Sequence, residues 1–271
     1  MMFMIRKPVV AEAFYPSNKQ ALEKMVADFL NCIPKKQGKI TIAPHAGYIY
    51  SGACAGRSFA SLKRIIEKTD STVVLIGPNH TGLGMPIAVS KNDWETPLGI
   101  VKCDLELADE LIKSNQYIAH DEIAHLREHS LEVMLPFIQV MNKSAKIVCI
   151  CMGAQDINAA RIIAQAVANC ISKRQNTCVV CSSDFTHYES AEHAKKIDSQ
   201  AIEKILALKA EEFNVSVEQN NLSICGYGPI TAGILIARAL KLDSPTLNHY
   251  TNSGHASGDF ESVVAYASIT F

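Results

Sequence analysis

Ile40–Gly52 reads ITIAPHAGYIYSG. Ile40, Thr41 and Ile42 form a β-branched run that suits a strand, and Pro44 ends it. His45 follows at once, in a stretch of small residues that leaves the imidazole accessible. A histidine where a buried strand gives out stands where ligands bind in open α/β sheets, beyond the carboxyl ends of the strands.

Working outward, KITIAP, STVVLIGP, AKIVCICMG and TCVVCSSD read as buried strands by length and branching, and SVVAYASITF as a fifth that closes the chain. Helical patterns alternate with them. CAGRSFASLKRIIEK carries Phe59, Leu62, Ile65 and Ile66 on one face. DLELADELIKSN follows the lone Trp94. DINAARIIAQAVANCISKR has Asp156 as its expected N-cap, and SAEHAKKIDSQAIEKILALK follows the fourth strand. The alternation predicts an α/β fold with a central, mostly parallel or mixed sheet and helices on both faces. No repeat, low-complexity tract or long Pro/Gly/Ser linker divides the chain, so residues 1–271 are expected to form one domain.

Bulk composition narrows the function classes. Of 271 residues, 48% are hydrophobic and 20% charged, with a net charge of −1. Scattered Lys and Arg argue against a nucleic-acid surface or a basic membrane footprint. The amino terminus, MMFMIRKPVV, places its charges after a very short apolar run, unlike a secretory signal. ITAGILIARAL is interrupted by Arg238 and too short to span a bilayer. A cytoplasmic location with no membrane association is expected. The nine cysteines are an odd count, unlike a secreted disulfide framework. Most sit in apolar runs and read as buried, reduced thiols. Cys178 and Cys181 have CxxC spacing but point to opposite faces of a strand, so they cannot grip one metal from there.

Three strands end in side chains able to bind a metal: His45 after the first, His80 in LIGPNHTG after the second, and Asp184 and His187 in CSSDFTHY after the fourth. Cys225, in SICGYGPITAGILIARAL, is a fourth contribution. It precedes a helix amino terminus, whose dipole favours thiolate. Neutral imidazoles with a thiolate or carboxylate suit Fe(II), Cu or Zn rather than Mg or Ca. His187 would serve as acid/base, with Asp184 as ligand or orienting partner. Other readings use some of the same residues. HLREH (125–129) matches the H-x-x-E-H zinc pattern. A thiol hydrolase would use Cys225, His187 and Asp184, leaving His45 and His80 without a purpose. No complete G-x-G-x-x-G, phosphate-binding loop or G-x-S-x-G elbow is present.

The segments RKPVVAEAFYP, APHAGYIYSG, GPNHTG, WETPLG, EHSLEVMLPF, SSDFTHY, CGYGPI and YTNSGHASGDFESVVAYA, in this order, resemble the Memo (mediator of cell motility) family in its bacterial and archaeal form. The resemblance implies a fold like the class III extradiol dioxygenases (LigB-like), with a metal site at the strand ends. It makes His45, His80 and Cys225 the metal ligands, with Asp184 and His187 lining the pocket and His129 and Tyr48 bordering it. It implies iron or copper, with zinc as a further candidate, and oxidoreductase chemistry. It also implies an AMMECR-type protein and a radical SAM protein as partners, as in the AmmeMemoRadiSam system. Eukaryotic members are linked to phosphotyrosine peptides, so a non-catalytic module binding a peptide or aromatic ligand in the same pocket is the alternative. Ring-cleaving dioxygenases hold Fe(II) with two histidines and a glutamate. Cys225 replaces that carboxylate here, and a thiolate is a softer donor.

Overall fold

The computed structural model describes residues 5–271. Met1–Met4, on which part of the reading of the amino terminus rests, lie outside the described residues. Among the described residues, twelve strands make one sheet. In chain order they are β1 (Ile5–Arg6), β2 (Ile40–Ala43), β3 (Thr72–Pro78), β4 (Ile87–Val89), β5 (Asp93–Thr96) and β6 (Gly99–Cys103). Then come β7 (Ala119–His120), β8 (Lys146–Met152), β9 (Thr177–Ser182), β10 (His187–Glu189), β11 (Thr246–Asn252) and β12 (Val263–Thr270).

The main path runs β1-β5-β6-β8-β3-β9-β2-β12-β10. Its centre, β6-β8-β3-β9-β2, is parallel throughout, whereas β12 pairs antiparallel with β2, β10 and β11. The architecture is therefore the expected mixed α/β sheet with helices on both faces. Along β3, Val74 and Ile76 pack into one core cluster, and Val73 and Leu75 into another on the opposite face. Both faces are buried, which is why these strands read as continuous apolar runs instead of alternating. Ile163 and Ile234 from the helices Ile157–Ile171 and Tyr227–Ala239 cover the first face. Val26, Phe59 and Phe137 from Lys19–Leu30, Tyr48–Ala60 and Leu135–Met141 cover the second.

Local signals held where they were chemically specific. Asp156 caps the helix Ile157–Ile171 by accepting from the Asn158 and Ala159 amides. Cys178 and Cys181 pack into opposite core clusters, and all nine cysteines are free. The helix expected from Cys54 differs. It begins at Tyr48, ends at Ala60, and is followed by a separate turn, Lys63–Ile66. Its glycines are contact points: a Cβ on Gly56 would lie 2.3 Å from the Phe29 carbonyl oxygen, so only glycine lets the two helices approach. The helix Lys19–Leu30 and the short strands β4 to β7, β10 and β11 were not anticipated from the sequence.

One buried network braces the loop that matters most below. Arg6 donates to the His125 carbonyl (3.1 Å) and the Glu128 carbonyl (2.7 Å), pairs with Glu132, and lies over the Trp94 ring. Glu132 also accepts from the Val9 and Val10 amides and the Tyr15 hydroxyl. A buried ion pair persists when its remaining polar atoms are satisfied. This one ties the amino-terminal segment to residues 125–132.

Candidate metal centre

β3, β9 and β2 are neighbours, so their carboxyl ends lie about one strand spacing, ~4.8 Å, apart. The chain leaves β2 through Pro44 into His45, leaves β3 at Pro78 two residues before His80, and leaves β9 at Ser182 two residues before Asp184. Residues far apart in sequence thereby meet at one rim. One donor atom from each of His45, His80 and His129 lies within 4.8 Å of the others. They share a cavity of about 530 Å³ with Asp184 and His187. Phe14, Tyr50 and Tyr188 line it as well, and Tyr188 is held at a positive φ of 61°, which strains a bulky side chain.

Hydrogen bonding sets the tautomer of three imidazoles. The Ser182 hydroxyl gives its single proton to the Ser130 carbonyl (2.8 Å), so His45 Nδ1, 2.7 Å from that oxygen, must donate to it. His80 Nδ1 donates to Glu128 Oε1 (2.9 Å), and His187 Nδ1 to the Ser223 carbonyl (2.8 Å). Each bond leaves Nε2 as the acceptor nitrogen, the form in which imidazole binds a metal or takes a proton, and that of His45 faces the Cys225 thiol. Glu128 is fully buried and also accepts from the His80 and Ser130 amides, while His129 Nδ1 lies 3.4 Å away. Burial pushes its carboxyl up. The hydrogen bonds and the neighbouring imidazoles outweigh that and bring it down to about 2.

Burial, reinforced by the positive fields of His129, His80 and His187, holds His45 well below the ordinary histidine range, so it stays neutral. Burial likewise lowers His129, against the pull of Glu128. Asp184 accepts the His45 amide (2.8 Å), and burial raises its carboxyl to about 6.

Cys225 lies in a tight turn against the end of β9. A Cβ on Gly226 would sit 2.3 Å from the Ser182 carbonyl oxygen. The sulfur accepts from the Asp184 amide (3.2 Å) and stands 3.1 Å from His45 Nε2. The expected thiolate is not the resting form of the metal-free chain. Burial, then the Asp184 charge, raise the thiol above its usual range, against hydrogen bonds from the Asp184 amide and Ser183 that favour thiolate.

The donor set fits a transition metal. The three imidazoles form the group able to hold an ion, and Cys225, expected beside them as a ligand, lies outside that group. Its sulfur stands at hydrogen-bond distance, 3.1 Å, from His45 Nε2, a separation that two donors on one ion also show at bond lengths of about 2.0 and 2.3 Å. Neutral imidazoles and a thiol that a cation would deprotonate are soft to borderline ligands.

The other sequence candidates fall elsewhere. Tyr48, expected to border the pocket, donates to the Val133 carbonyl (2.6 Å) and packs on Tyr15 and Phe137, and Tyr50 lines the cavity instead. Residues 48 and 50 leave a helix on nearly opposite sides. The HLREH segment is not α-helical, so its two histidines do not share a face as the zinc pattern requires. His125 ends a short 3-10 turn, donates to the Ala88 carbonyl (3.2 Å) and packs edge-on against Trp94, whereas Glu128 and His129 face His80. Glu128, Ser182, Ser130 and Ser223 were missed as site residues, because a serine or glutamate that orients a histidine has no spacing rule.

Burial depresses His125 to about 4, which gives stability a pH dependence. The unfolded chain takes up a proton near pH 6.5 and the folded chain only near pH 4, so this group costs stability as pH falls through that window. Its share is about 3 kcal/mol at most. Urea unfolding at pH 7.5 and 4.5 should show that increment in the parent chain and its loss in His125→Phe. Identical pH slopes would contradict it.

Fold and site together define a class: an α/β protein with a histidine-rich candidate metal site at the carboxyl rim of a mixed sheet. The model of the Memo-like proteins matches residues 6–270. A MEMO1 family protein of Methanosarcina acetivorans is 42% identical over 98% of both chains. One from Nitrosopumilus maritimus is 40% identical, covering 99% of this chain and all of its own. A third, from Methanocaldococcus jannaschii, is 40% identical over 97% and 98%. The chain belongs to the Memo family.

Proposed function

We propose that this protein binds iron or copper at His45 and His80 with Cys225, that His129 supplies a further imidazole, and that the centre serves redox chemistry. The observation that carries this reading is convergence: three imidazole donors within 4.8 Å and a sulfur 3.1 Å from one of them. A bound ion would supply Lewis acidity and one-electron chemistry, and this chain's residues do the rest. Asp184 accepts the His45 amide and so holds the ligand-bearing backbone. His187, its Nδ1 proton committed to Ser223, offers Nε2 as a proton acceptor at the cavity wall. An AMMECR-type protein and a radical SAM protein are the proposed partners. The peptide alternative is less well supported for a phosphorylated ligand, because among the described residues no lysine or arginine lines the cavity to hold its charge.

Anaerobic purification with elemental analysis tests this reading. About one equivalent of iron or copper per chain is expected after reconstitution. Less than about a tenth of an equivalent would end it, since a site of this donor strength fills at micromolar metal.

A further inference from the structure

Cys225 lies in a glycine turn, and a turn needs something to hold it. The helix that follows, Tyr227–Ala239, begins at Gly226, which has no side chain to cap the first free amides. The missing cap comes from another strand's loop. Gln155, three residues past β8, donates through Nε2 to the Cys225 carbonyl (2.9 Å) and accepts through Oε1 from the Gly228 amide (2.9 Å). One carboxamide thus satisfies groups on both sides of the turn.

The fit is tight on every side. A Cβ on Gly228 would lie 2.8 Å from both Cα and Cβ of Gln155, so glycine is what lets the turn reach the glutamine. Asn214 fixes Gln155 from behind, donating to its carbonyl (3.0 Å) and to Thr231 (3.1 Å) on the same helix. The opposite flank of the turn rests on Ser183, whose hydroxyl accepts from the Gly226 amide (3.0 Å). β8 and β9 flank β3, so Gln155 spans two strand positions to reach a turn seated on β9.

We infer that Gln155 is a positioning residue for Cys225: its carboxamide caps the next helix in place of a local side chain and holds the thiol against His45. The positioning stands on geometry alone. Its consequence for metal binding rests on the proposal that Cys225 is a ligand.

The test separates the two. Metal-free protein is treated with iodoacetamide, and alkylation of Cys225 and Cys181 is followed in the same digest by mass spectrometry. Cys181 is fully buried in β9, so it reports global opening while Cys225 reports the turn. In Gln155→Ala the Cys225-to-Cys181 rate ratio is expected to rise about fivefold or more, the signature of local release. Gln155→Glu is expected to fall between, because it can accept from Gly228 but sets a second oxygen against the Cys225 carbonyl. A ratio within about twofold of the parent in Gln155→Ala would overturn the inference. Cobalt(II) titration reads the consequence: Gln155→Ala should bind about tenfold more weakly, with a weaker sulfur-to-metal charge-transfer band. Absence of that band from the parent chain would sink Cys225 ligation, and the alkylation ratio would still judge Gln155.

Discussion

Replacing His45 by alanine is expected to lower iron or copper affinity by about a hundredfold or more. Structural sites of four donors bind with roughly 10–16 kcal/mol, so one donor is worth about 3 kcal/mol. His45 is the pivot, since its donor belongs to the three-imidazole group and its Nε2 also faces the Cys225 sulfur. His80→Ala should cost a similar factor. Cys225→Ala should do so too, and should remove any sulfur-to-metal charge transfer. His125→Ala, the other half of the HLREH pattern, should leave affinity within about twofold, because its imidazole is committed to Ala88 and Trp94. Chelator competition under nitrogen measures all four. Unchanged affinity in both His45→Ala and His80→Ala would remove the metal from this rim.

Glu128→Ala should be the costliest change outside the donor set. It strips acceptors from the His80 amide, the His80 ring N–H and the Ser130 amide. The Ser130 amide is fully buried, and a buried donor left unpaired costs about 1–3 kcal/mol, whereas water can meet the donors of exposed His80. A loss of about 1–3 kcal/mol is therefore expected in urea unfolding of the metal-free chain. Glu128→Gln keeps one acceptor oxygen and should fold. Its weaker hold on the His80 tautomer should reduce metal affinity by about 10- to 100-fold. Unchanged stability in Glu128→Ala would mean that water reaches the Ser130 amide as well.

Much of the fold was legible because parallel strands buried on both faces declare themselves as unbroken apolar runs, as in VVLI (73–76) and CVVC (178–181). Short pieces such as β7, two residues long, carry no such signal, since pairing partners elsewhere create them. The glycines of Tyr48–Ala60 were obscure for a related reason. Locally they suggest a loop, and only the close approach of Phe29 explains them.

From the sequence alone came the order of strands and helices and the placing of His45, His80, Asp184 and His187 after strands, because periodicity and chain breaks are local. Only the tertiary structure decided which histidines meet. It parted His125 from His129, four residues away, and joined His129 to His45, 84 residues away, because the rim brings together what neighbouring strands and loops deliver, whatever their distance along the chain. It alone assigned the proton on each ring, since that depends on a serine, a glutamate and a carbonyl supplied from other segments.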